Sequence, residues 1–134
     1  MKLHEKKCIP CSGEIPPLNL EEIQKFQKDI DSEWELTHQN TRLLRKLKLK
    51  EMAAPMALAN KIAQIADEQW HHPELHIGFG HLDIEIWTHK INALVESDFI
   101  FAAKVDKIIY LSFFLGNSQT NHSFCRHLWR GEIP

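Results

Sequence analysis

The chain has 134 residues, of which 43% are hydrophobic and 25% are charged, and its formal net charge is −2. This length and composition are typical of one soluble globular domain that buries a hydrophobic core. They argue against a broad basic surface for nucleic acid, and no apolar run reaches the length of a membrane-spanning helix. Residues 1–11 are charged and lack the apolar region of a secretion signal, so we expect a cytoplasmic protein with no nucleic-acid or membrane partner.

Residues 1–18 are predicted to form a mobile N-terminal tail, because several prolines and a glycine interrupt any regular structure there. The tail contains the pair Cys8-x2-Cys11. One such pair supplies two ligands, whereas a structural zinc site needs four. His4 could be a third ligand, and Cys125 with His122 or His127 could complete a site only if the two tails meet. The simpler interpretation is a pair of free thiols.

The first half of the domain predicts one helix and one β-hairpin. Asn19, followed three residues later by Glu22, is the pattern of a capping box and predicts a helix over residues 20–30. Residues 34–37 and 41–50 predict two strands, since the second alternates leucine with lysine. Its basic side chains are interpreted as a solvated face of the sheet.

The second half predicts another helix, another hairpin and a last helix. Small apolar residues recur at helical spacing over residues 52–69. Residues 75–79 and 81–89 read as a strand pair, and alternation places His89 away from its most apolar face. Ser97 is the predicted cap of the third helix.

The order of elements is therefore α-β-β-α-β-β-α. It predicts an α+β fold in which three helices cover one face of a four-stranded antiparallel sheet. Residues 19–110 are assigned to this domain and residues 111–134 to a C-terminal extension.

The strongest functional signal is a group of histidines. His71 and His72 precede Pro73, which stiffens the turn after the second helix, and His89 follows near the end of a neighbouring strand. Histidine titrates near neutral pH, so three imidazoles around a small polar ligand are suited to acid–base chemistry. The alternatives are exposed polar residues or a three-histidine zinc site, although adjacent histidines diverge and rarely bind one ion together.

This pattern resembles the signature of the pterin-4a-carbinolamine dehydratase family. An acidic residue, three spacers, His-His-Pro, an aromatic residue, a histidine and an aspartate fall at that family's intervals. Trp34 resembles the tryptophan of the family's first strand, and residues 98–106 resemble its last helix. The resemblance covers roughly residues 18–110 and is carried by Asp67, His71, His72, Pro73, Phe79, His89 and Asp98.

The resemblance implies a role for each matching residue. It implies that His71, His72 and His89 line the pterin pocket and carry the acid–base work. The remaining positions are implied to bind substrate or to support those histidines: Trp34, Asp67, Pro73, Thr88 and Asp98. Among these, Asp98 is implied to hold a histidine by a hydrogen bond, and Thr88 to lie beside the ligand.

The implied reaction is loss of water from 4a-hydroxytetrahydrobiopterin, giving quinonoid dihydropterin during tetrahydrobiopterin recycling. The resemblance implies no cofactor and no metal, and it implies a homo-oligomer, either a dimer or a tetramer. Family members that stabilise a transcription-factor dimer supply the alternative, a non-catalytic protein-binding module on the same fold. Trp70 is bulkier than the resemblance leads one to expect and would narrow the mouth of the pocket.

Overall fold

The computed structural model describes residues 1–9 and 13–115. The helices are α1 (Leu20–Gln27), α2 (Ala53–Gln69) and α3 (Glu96–Tyr110), and the strands are β1 (Glu35–Thr37), β2 (Arg42–Lys48), β3 (Glu74–Gly78) and β4 (His81–Ile86). A short 3-10 helix, Leu3–Glu5, precedes α1, and a π-helical turn, Leu111–Leu115, continues α3. The predicted α+β class and the predicted order of elements are confirmed.

The four strands form one antiparallel sheet in the order β1-β2-β4-β3. On its inner face Leu43 lies opposite Ile86 and Leu47 lies opposite Leu82, and all four side chains are buried. The helices cover this face and contribute most of the rest of the core, including Ile23, Leu58, Ile62, Phe99, Phe101, Val105 and Ile109. On the outer face most side chains are polar, as the leucine–lysine alternation predicted, although Leu44 also lies on this face.

The N-terminus of α1 has the predicted capping box. The side chain of Asn19 accepts a hydrogen bond from the backbone N–H of Glu22 at 2.9 Å, and the Glu22 carboxylate accepts one from the Asn19 N–H at 3.1 Å. Two backbone donors that lack a partner within the helix are thereby satisfied. The helix ends at Gln27, three residues before the predicted end.

Two predicted boundaries near the site are wrong. α3 begins at Glu96, and its first turn is closed by the Asp98 carboxylate, which accepts from the Val95 N–H at 2.8 Å. Ser97, predicted as the cap, instead uses its hydroxyl to bind Ile9. β4 ends at Ile86, so that His89 lies in a turn beyond the strand rather than on it.

A buried polar network joins the sheet to α3. Arg45 lies on the inner face of β2, is only 7% exposed, and pairs with the Asp106 carboxylate of α3. Asp106 also accepts from Trp34 Nε1 at 2.7 Å and from the Asp31 N–H at 2.8 Å. Burial raises the pKa of the Asp106 carboxyl, while these donors and the Arg45 charge oppose that rise.

The N-terminal segment differs from the mobile tail that the sequence predicted. Leu3 and Cys8 are buried against the domain, and the short helix at Leu3–Glu5 packs on α3. Cys11 and residues 116–134 lie outside the described part of the chain. Within the described residues, no helix is both long enough and apolar enough to cross a bilayer.

Candidate functional site

His71 turns into the protein directly after α2. Trp70 ends the helix in a left-handed conformation (φ 52°), and the His71 N–H returns to the carbonyl of Ala66 at 3.2 Å. The imidazole is 8% exposed, lies 5.7 Å from the ring of Phe101, and joins Asp98 through Nε2 at 2.6 Å. Most histidines of a soluble domain are more exposed than this.

Asp98 is fully buried in the first turn of α3. Its Oδ1 meets His71, while Oδ2 accepts from the Thr88 hydroxyl and from the Val95 N–H, both at 2.8 Å. An ionised carboxylate only accepts hydrogen bonds, so His71 must donate from Nε2. The neutral imidazole then has its lone pair on Nδ1, which is the atom able to take up a proton.

His72 lies on the surface beside its neighbour. Its Nε2 is 3.0 Å from the carboxylate of Asp67 on α2, and both side chains are exposed. Trp70 meets the His72 ring edge-on, with centroids 6.4 Å apart, and is itself 76% exposed. Because both side chains are exposed, both groups are accessible to a ligand, and an exposed pair of this kind contributes little to stability.

His89 is held by stacking. Its ring lies 4.2 Å from that of Trp87 with an interplanar angle of 19°. The guanidinium of Arg42 lies 3.9 Å from the centroid of the same indole and also pairs with Glu85 at 3.2 Å. The sequence placed His89 away from the apolar face of its strand, but gave no signal for Arg42, which comes from a different strand.

The structure joins some of the predicted site residues directly and others only through their neighbours. His71, Thr88 and Asp98 form one hydrogen-bonded group. His72 and His89 adjoin members of this group in the chain, and the half-buried Pro73 follows His72 before β3. The predicted site residues therefore form two groups in contact, His71 with Asp98 and Thr88, and His72 with Asp67.

Trp34 belongs to the other network, because its indole binds Asp106. Asp106 lies eight residues beyond Asp98, which corresponds to about 12 Å along α3. The position of Trp34 near a ligand pocket stays a prediction.

The two metal alternatives, a three-histidine site and a cysteine site in the N-terminal segment, can be compared with the described part of the chain. No group of three or more histidine, cysteine, aspartate or glutamate side chains there is arranged to hold an ion. Cys8 is buried, and burial raises the pKa of its thiol to about 11, so it is protonated at neutral pH. The proposed partner Cys11 is outside the described residues.

Comparison with known proteins identifies relatives over most of the chain. The family model for pterin 4 alpha carbinolamine dehydratase matches residues 16–108. A proposed pterin-4-alpha-carbinolamine dehydratase of Rickettsia bellii is 47% identical over 104 residues, which are 78% of this chain and 91% of the relative. One of Alkaliphilus metalliredigens is 43% identical over 105 residues, 78% of this chain and 94% of the relative.

A solved structure shares the fold. The crystal structure of a transcriptional coactivator/pterin dehydratase from Brucella melitensis superposes with a TM-score of 0.64 at 24% identity. The match covers 69% of this chain and 98% of that one. At this identity the likeness establishes the common fold.

Proposed function

This chain belongs to the pterin 4 alpha carbinolamine dehydratase family, and we propose that it removes water from 4a-hydroxytetrahydrobiopterin to give quinonoid dihydropterin in tetrahydrobiopterin recycling. The observation that carries the proposal is the buried group of His71, Asp98 and Thr88. It holds one imidazole in a single tautomer, and His72 and His89 follow His71 and Thr88 directly in the chain. A fixed imidazole of this kind is suited to proton transfer near neutral pH.

The reaction needs two proton transfers and no change of oxidation state. A proton is removed from a ring nitrogen of the pterin, whose electron pair forms the new double bond to C4a. The C4a–O bond breaks, and the hydroxyl takes up a proton and leaves as water. Because the electrons balance within the substrate, the proposal requires neither a cofactor nor a metal.

We assign the base to His71. Its Nδ1 has the lone pair, and the Asp98 carboxylate at Nε2 stabilises the imidazolium that forms when His71 takes the proton. The exposed His72 and the stacked His89 are the proposed proton donors to the leaving hydroxyl. Asp67 orients His72, Thr88 orients Asp98, and Pro73 fixes the turn between the histidine pair and β3.

The first test is a stopped-flow assay of 4a-hydroxytetrahydrobiopterin decay with chelator present throughout. The wild type should accelerate decay, and His71→Ala and His89→Ala should each lower kcat by about 10²–10⁴-fold, the usual contribution of one acid–base group. His76→Ala, an exposed histidine on β3, is the matched control and should retain full activity. Circular dichroism would establish that each variant is folded.

If the folded wild type leaves the decay rate of 4a-hydroxytetrahydrobiopterin unchanged, the proposed enzymatic function is wrong. The alternative is then a protein-binding module, the class suggested by the coactivator name of the Brucella protein. In that case a partner captured by the wild type would be captured equally by His71→Ala.

We further propose that the protein is cytoplasmic and acts as a homo-oligomer. Light scattering of the purified chain would measure its oligomeric state.

A further inference from the structure

Residues 2–9, which we name the N-terminal strap, lie across the end of α2 and the start of α3. Leu3 and Cys8 are buried in the core at the two ends of the strap. Between them, the Lys104 ammonium donates to the carbonyl of His4 at 2.8 Å, and Lys6 pairs with Glu96 at 3.0 Å. The strap is therefore an ordered part of the domain.

The strap is anchored to both helices through adjacent residues. The Cys8 N–H donates to the Gln69 side-chain oxygen at 2.9 Å, which ties the strap to the last residue of α2. The Ile9 N–H donates to the Ser97 hydroxyl at 2.9 Å, and that hydroxyl donates back to the Ile9 carbonyl at 3.3 Å. The Cys8 thiol also approaches the Ser97 carbonyl at 3.5 Å.

These anchors flank the two halves of the buried pair at the site. Gln69 precedes His71 by two residues, and Ser97 immediately precedes Asp98. The His71–Asp98 bond joins the same two chain segments at 2.6 Å. A hydrogen bond between groups on separate elements keeps its length only if both elements are held in place, and the strap crosses between them.

We propose that the N-terminal strap positions the active site, with Gln69 and Ser97 as positioning residues that act through His71 and Asp98. The inference rests on the proposed function for its kinetic consequence. Releasing the strap lets the end of α2 shift against α3, so that the Nε2–Oδ1 bond lengthens and the imidazole loses its fixed orientation. Chemistry then slows while substrate binding changes little, because the strap anchors do not form part of the proposed acid–base group.

The test is the full-length double variant Gln69→Ala/Ser97→Ala, which removes both anchors. Displacement of a reacting group by about 1 Å can cost 10²-fold, so kcat should fall about 10–100-fold with KM changed less than about threefold. In proton NMR, the Nε2 proton of His71 should exchange with water at least tenfold faster than in the wild type. A purely structural strap would lower stability without moving either readout in the folded protein.

Two further variants sharpen the comparison. Gln69→Glu keeps an oxygen acceptor for the Cys8 N–H and should retain kcat and slow exchange. Lys61→Ala removes a hydrogen bond of 3.0 Å from the middle of α2 to Ser112, ten residues before His71 in the chain, and should leave both readouts unchanged.

The proposal is overturned if the folded double variant keeps wild-type kcat and wild-type exchange of the His71 proton. Should the double variant not fold, the single change Gln69→Ala decides by the same two readouts. If the wild type shows no dehydratase turnover, the proposed function fails, and the exchange measurement alone still decides whether the strap positions His71.

Discussion

At the scale of single residues, Asp98 determines which ring nitrogen of His71 donates a hydrogen bond and which keeps its lone pair. The carboxylate satisfies three donors, of which two, Thr88 Oγ1 and Val95 N–H, meet the same oxygen. Its position at the N-terminus of α3 also favours negative charge. The result is a buried acceptor that accounts for the tautomer of the histidine and for its orientation.

This arrangement makes a specific prediction for Asp98→Asn. Val95 and Thr88 both donate to Oδ2, so the amide oxygen must take that place and the NH₂ group must face His71. The proton of His71 then moves to Nδ1, and the proposed base is lost. We expect kcat to fall by about 10³–10⁴-fold, as for a triad aspartate changed to asparagine, with the fold retained.

Nitrogen NMR of histidine-labelled protein would report the tautomer directly, alongside the stopped-flow rate. Asp83→Asn, on the outer face of β4 where Asp83 meets an exposed histidine, provides the control and should change neither. A folded Asp98→Asn protein with an unaltered tautomer would contradict the assignment of His71 as base.

At the scale of elements, α3 is the part of the fold on which both polar networks converge. Its first turn carries Asp98 and the site, and Asp106, about two turns later, carries the buried pair with Arg45. The second network also binds Trp34 and the backbone of Asp31, which precede β1. One helix therefore aligns the sheet with the histidine that follows α2.

The Asp106 network gives a stability prediction. Asp106→Ala leaves the Arg45 charge and the Trp34 N–H buried without their main acceptor, and should lower the free energy of unfolding by about 3 kcal/mol. Urea unfolding would measure the loss. The double change Arg45→Met/Asp106→Ala should recover much of it, because the uncompensated charge is gone. Asp29→Ala, an exposed carboxylate near the end of α1, should cost under about 0.5 kcal/mol. Equal losses in the single and double variants would show that the uncompensated Arg45 charge does not cause the loss of stability.

At the scale of the whole molecule, the first nine residues complete the domain. The strap buries Leu3 and Cys8 and connects positions about 90 residues apart in the chain, as in the Lys6–Glu96 pair. Its proposed influence on the site would then follow from where it crosses the fold, because it is hydrogen-bonded to both the end of α2 and the start of α3.

Burial of Cys8 links stability to alkaline pH. The folded state holds the thiol proton more tightly than the unfolded state, because desolvation raises its pKa from 9.0 to about 11. The stability that the buried, protonated thiol contributes is complete below pH 9 and is lost as the pH rises through about 11. The wild type should therefore lose on the order of 1–2 kcal/mol more than Cys8→Ala over this interval, with allowance for screening by solvent.

Urea titrations of both proteins at pH 8 and pH 10.5, with reductant present, would measure the difference. The alanine variant also removes buried volume, so the comparison concerns the change with pH and not the absolute stability. Parallel pH dependence of the two proteins would mean that the thiol is not desolvated.

The sequence by itself determined the class of the fold, the order of its elements, the capping box at Asn19 and the family. These features depend on neighbours within a few positions or on fixed spacing, so local patterns are sufficient to find them. The family resemblance also implied that Asp98 would hold a histidine by a hydrogen bond, and the structure contains a contact between Asp98 and His71. The catalytic roles stay predictions.

Only the tertiary structure decided which partners these residues have. Asp98 binds His71 across 27 positions, and the Ser97 hydroxyl binds Ile9 across 88 positions. Arg45 is buried, although it lies on a strand whose alternation suggested a basic outer face. Each of these interactions depends on how separate elements pack. A polar side chain that could serve several local purposes forms the interaction that satisfies a buried polar group on another element. For the same physical reason the N-terminal segment, which was predicted to be a mobile tail, packs against α2 and α3 as the N-terminal strap.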